Sequence, residues 1–184
     1  MKKIMMILAL ILIIGCTAPT ENRTKDDQMP GNGITAKEAY QKMLPDAQKW
    51  KSDAGLVQIN SQYADKEGKS IQWTAVFYSP SSDEGYMSLY INGRLQANPT
   101  PSSGSAHKYH VSGEWIDSDK VTEIAVSKIG NEEKAYHLAL SDTPVISGAD
   151  CRPCWQVMQS EYIMSIKADT GEVIELRDTS VPPQ

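Results

Sequence analysis

The chain has 184 residues, 22% of them charged and 40% hydrophobic, with a formal net charge of −5. That is a globular composition, long enough for one medium domain or two small ones. The acidic balance comes with no run of Lys and Arg, so nucleic acid is excluded as a partner, because binding it relies on neutralising phosphates with clustered cations.

Residues 1–16 read MKKIMMILALILIIGC. Lys2 and Lys3 form a positive start, and residues 4–14 are an unbroken apolar run of about eleven, the length of a signal-peptide core. At roughly 1.5 Å per residue the run is too short for a hydrocarbon layer of about 30 Å. It ends in Ile13-Ile14-Gly15-Cys16, which resembles a bacterial lipobox. That resemblance implies cleavage of residues 1–15 and acyl chains, such as palmitate, on Cys16. Two or three chains anchor a protein stably where one does not. Residues 16–33 then form the lipidated start and a flexible stalk, with prolines, glycines and no apolar periodicity.

Residues 34–96 form a first unit. Thr35-Ala36-Lys37-Glu38 is a capping box with Ile34 as its staple, and Ala39, Tyr40, Met43 and Leu44 follow at helical spacing. Pro45 predicts a break or kink, with a second piece through Trp50. Strands are expected at residues 56–61, 73–78 and 86–91, and Asn92-Gly93 predicts a tight hairpin turn because both residues tolerate φ > 0, with Arg94 and Leu95 starting the return. Residues 97–112 are a Pro- and Ser-rich connector.

Residues 113–176 form a second unit. Ser118 is the expected cap of a helix carrying Val121, Ile124, Ala125 and Ile129, ended by Gly130. Tyr136, Leu138 and Leu140 alternate as a strand. Residues 155–176 read as an antiparallel hairpin closed by Asp169-Thr170-Gly171, with Tyr162, Met164 and Ile166 on one face. Residues 177–184 are a frayed tail. A helix followed by three strands thus occurs twice, and laying each helix on its own sheet buries both apolar faces, an α+β fold of two tandem units.

Both units resemble PepSY domains, small helix-plus-antiparallel-sheet modules of cystatin-like build found in exported bacterial and archaeal proteins. In the second unit the resemblance lies in DKVTEIAVSKIG, the strand opening with Trp155, and MSIKADTGEVIEL. In the first it lies in WKSDAGLVQINS and DKEGKSIQWTAVFYSP. The first hairpin departs from the pattern, with Asn92-Gly93 in place of an acidic-x-Gly turn. The resemblance implies a module without catalytic residues or cofactor that restrains or binds peptidases or other exported partners.

Few residues offer chemistry. Cys151-Arg152-Pro153-Cys154 has redox spacing, but the residues after it read as strand, whereas thiol–disulfide enzymes place a helix N-terminus there. A structural disulfide is the expectation in an oxidising compartment, ahead of free thiols, a redox pair or a metal site. His107 and His110 lie in a loop-to-strand segment and His137 is isolated, so no metal is expected. Asp26-Asp27, Asp83-Glu84 and Glu132-Glu133 read as turn-solvating pairs. Trp50, Trp73, Trp115 and Trp155 read as core, with a binding groove as the alternative. The expectation is a cell-envelope lipoprotein, held to a membrane by its lipid anchor, that is not an enzyme and binds or inhibits a protein or peptide partner. The alternatives are a tethered thiol–disulfide protein using Cys151 and Cys154, and a structural envelope protein.

Overall fold

The computed structural model describes residues 33–98, 110–111, 113–130, 135–142 and 151–180. The expected leader, Cys16, His107 and the Asp26-Asp27 and Glu132-Glu133 pairs lie outside the described residues, as do most of the stalk and connector. The fold is α+β. Helix α1 (Ala36–Trp50) precedes strands β1 (Gly55–Ala64), β2 (Gln72–Ser79), β3 (Glu84–Ile91) and β4 (Arg94–Asn98). Helix α2 (Ser118–Ile129) precedes β5 (Tyr136–Ser141), β6 (Cys154–Gln159), β7 (Tyr162–Lys167) and β8 (Val173–Asp178). Each helix is thus followed by a four-strand antiparallel meander. The meanders meet edge to edge in one eight-stranded sheet of order β4-β3-β2-β1-β5-β6-β7-β8. At the seam Ile59 stands opposite Leu140 and Asn60 opposite Ala139.

The sheet's alternation decides its faces. Trp73, Ala75 and Phe77 of β2, Leu138 and Leu140 of β5, and Trp155 and Val157 of β6 join one core with Ala39, Met43 and Ala47 of α1 and Val121 and Ala125 of α2. The intervening residues, such as Thr74, Val76, Ala139 and Gln156, point to the opposite face.

Several expectations need correction. The helix does not break at Pro45: α1 runs unbroken from Ala36 to Trp50. Pro45 and Gln41, whose carbonyl loses its partner, are both exposed, so water can satisfy that group while buried Met43 and Ala47 hold the helix on the sheet. Asp117, not Ser118, is the N-cap of α2; its carboxylate accepts from the Ser118 backbone N–H. The first arm of the hairpin read over residues 155–176 is not one strand: Ser160, at φ of 50°, turns the chain and divides it into β6 and β7, so β8 is a fourth strand. The return after Asn92-Gly93 is the full strand β4, and β4 and β8 run two residues past the expected unit ends at 96 and 176. The Asn92-Gly93 turn forms as expected, with φ of 49° and 81°.

Candidate functional site

Three places gather polar or reactive side chains, and each is built differently. The first is the start of β6. Cys151 and Cys154 are 2% and 1% exposed, with their sulfurs within bonding distance of each other. Cys154 enters β6 directly, so the pair does not open a helix whose N-terminus would lower a redox thiol's pKa. The Pro153 carbonyl accepts from Ala168 N–H, so the closed loop is tied to the end of β7. This geometry orders the entry of a strand.

The second place is where the two helix N-termini meet. The first turn of any helix leaves backbone N–H groups without intrahelical partners. In α1, Thr35 and Glu38 form the expected capping box. Two further donors turn to the other helix: Ala36 N–H bonds Ser118 Oγ at 2.9 Å and Lys37 N–H bonds Asp117 Oδ1 at 2.9 Å. Ser118 Oγ in turn donates to the Gly68 carbonyl at 2.6 Å. Gly68 has φ of 72°, and a Cβ there would land on the backbone of Ser118. Only glycine lets the β1–β2 turn approach α2 so closely. Sequence reading missed this staple; Asp117, next to the expected cap Ser118, was its one visible sign.

The third place is the β2–β3 loop. Asp53 accepts from Ser79 Oγ at 2.6 Å and from Ser81 N–H at 2.8 Å. The Ser79 hydroxyl, then the Ser81 amide, hold its carboxyl down to about 2. Tyr78 Oη donates to Asp83 at 2.6 Å, and Glu84 pairs with Lys51 at 3.5 Å. The carboxylate beside Ser79, held down to about 2, is too weak a base to take the hydroxyl proton, so the cluster fastens a loop.

Two of the three histidines, His110 and His137, are among the described residues. His110 packs its ring edge-on against Tyr78, and His137 lies half-buried on β5, where desolvation lowers its pKa. Among the described residues no three His, Cys, Asp or Glu side chains come together as a metal site, and no helix is long and apolar enough to cross a membrane.

The tryptophans divide. Trp73 and Trp155 are fully buried and make the same bond in the two halves: each indole N–H donates to a backbone carbonyl 39 residues earlier, Ile34 at 2.8 Å and Ile116 at 2.9 Å. Trp115 stacks edge-on against both Trp155 and Tyr40, which continues through Phe77 and Tyr86 to Trp50. This aromatic row is packing, as the core reading of these residues expects.

Among the described residues, the sheet face opposite the helices is buried at Ala139, Gln156 and Ser165 and partly exposed across β2 and β3. Across β2 and β3, Val76 pairs with Met87, Thr74 with Leu89 and Gln72 with Ile91. All six are at least partly exposed. No protein-family model, curated protein or solved structure matches this chain.

Proposed function

We propose that the chain is a membrane-anchored cell-envelope lipoprotein of two tandem PepSY-like units that binds or inhibits an exported protein, such as a peptidase, without catalysis of its own. The observation that carries this reading is the partly exposed apolar row of Val76, Met87, Leu89 and Ile91 on the helix-free sheet face. Neither described helix lies over these strands on that side, and apolar side chains there gain from a partner's burial. The division into units is supported by the repeated order of helix and four-strand meander, and by the paired indole bonds of Trp73 and Trp155. The anchor rests on the leader and Cys16 in the sequence. The thiol–disulfide alternative is disfavoured by the burial of both sulfurs and by the strand that follows them.

Two measurements test the proposal. Cells given labelled palmitate should label the wild-type chain and not Cys16→Ser; an unlabelled wild type removes the anchor. Envelope extract passed over the full chain should leave an exported protein bound that Leu89→Lys releases. Identical bound sets for the two chains would overturn the binding face.

A further inference from the structure

The outer edge of β8 has a register that fits a second copy of itself. Among the described residues β8 is the last strand on its side of the sheet. Thr179 N–H bonds the Glu161 carbonyl, and Arg177 stands opposite Ile163 and Leu176 opposite Met164. Hydrogen-bonded and non-bonded pairs alternate along an antiparallel ladder. Thr179 and Arg177 therefore turn their backbone groups to β7, and Leu176 and Asp178 turn theirs outward.

We propose that two copies of this chain pair antiparallel through β8, about a two-fold axis at Leu176. In that register Leu176 meets Leu176 of the second copy as a hydrogen-bonded pair. Glu175 then faces Arg177 of the second copy, and Arg177 faces its Glu175. Within one copy Arg177 already bonds Glu175 at 2.6 Å, on the helix-free face. The pairing closes these into a square of four alternating charges. On the helix side Leu176, 44% exposed here, gains an apolar neighbour. Charges on an edge strand ordinarily discourage pairing; here one register turns them into attraction, and a slip of one residue loses it. The other edge lacks this property. A like pairing of β4 about Gln96 would set Arg94 against Asn98 and Leu95 against Ala97, with no opposite charges. The chain already uses such an edge junction, at the β1–β5 seam.

The test is disulfide capture of the full chain in detergent, with the parent chain as baseline. Hydrogen-bonded antiparallel pairs hold their Cα atoms roughly 5.5 Å apart, within disulfide range. Leu176→Cys should give a covalent dimer on mild oxidation, and Leu95→Cys on β4 should not. Glu175→Arg sets like charges opposite at both symmetric positions and should weaken dimerisation roughly tenfold by sedimentation. The Glu175→Arg/Arg177→Glu double exchange should restore it, which a misfolded variant would not do. The proposal is overturned if Leu176→Cys links no more than the parent, links to a different protein, or links no better than Leu95→Cys. It is also overturned if the double exchange stays as weak as the single one.

Discussion

The two halves of the sheet solve one problem in two chemistries. Each must fix the chain just ahead of the strand that carries its buried tryptophan. In the first half Ser70 does this with hydrogen bonds. Its backbone pairs in both directions with Ile34, and its hydroxyl bonds Ser61 at 2.8 Å and the Gln72 carbonyl at 3.1 Å. In the second half the same place holds Cys151 and Cys154. The helices differ in a related way. Helix α1 carries its own complete capping box, whereas the cap of α2 also serves the first turn of α1. The second half therefore holds the staple, and the first half depends on it.

That comparison is easiest to break at the tryptophans. Trp73→Ala and Trp155→Ala should each cost about 4 kcal/mol, from lost burial and the cavity left. The matching Phe variants leave the Ile34 or Ile116 carbonyl without its indole partner, and each should cost about 1 to 2 kcal/mol in urea denaturation. Equal losses in the two halves would sharpen the equivalence of the bonds. A loss in only one would break it.

Next in size is Gly68→Ala, which should cost about 3 kcal/mol, because the new Cβ meets Ser118 and the backbone holds a positive φ. Native-state hydrogen exchange should show the amides of Ala36 and Lys37 losing protection together with those of α2. Loss confined to the β1–β2 turn would show that the staple does not couple the halves.

The covalent and hydrogen-bonded solutions can then be set side by side. Opening the Cys151–Cys154 loop with a Cys151→Ser/Cys154→Ser double change should cost about 2 kcal/mol, the modest figure for so short a loop. Ser70→Ala should cost about 1 to 2 kcal/mol for its buried hydroxyl. A reductant should lower the melting temperature of the wild type and of Ser70→Ala, and leave the double serine variant unchanged.

The smallest effects depend on pH. Burial lowers His137 below its ordinary 6.5, so the unfolded chain takes up the proton first. Its contribution is complete above pH 6.5 and is lost as the pH falls through the folded value. His137→Gln should flatten that part of the stability profile. Asp53 runs from an ordinary 3.8 to about 2, so its contribution is present above 3.8 and fades between there and about 2. Asp53→Asn should remove only that acid-side slope.

Much of this architecture was legible in the residues because local rules decide it. The Thr35 to Glu38 box, the Asn92-Gly93 turn, the Gly130 helix end and the alternation of Tyr162, Met164 and Ile166 are short-range patterns, and they form as read. What was not legible needs contact between distant residues. The join of β1 to β5, the bond from Ala36 to Ser118 and the clasp of Asp53 on Ser79 have no periodicity to betray them. Pro45 does not break α1, because its local cost is real but falls on a solvent-facing turn of a helix that packing holds in place. The cysteine pair was legible as a disulfide spacing. The helix-free face was not singled out, since its partly exposed residues follow the ordinary alternation of a half-buried strand.

The seam between β1 and β5 has a consequence for how the molecule is made. As the polypeptide emerges, α1 and the first four strands can assemble from near neighbours, but Ile59 must wait for Leu140. Until then the middle of the finished sheet is an unpaired rim, and closing it is the slow, long-range step of folding. A chain stalled before Tyr136 would display that rim to every other stalled copy. Nascent protein should therefore be most prone to clump when synthesis halts between the two helices, and least so once β5 has docked.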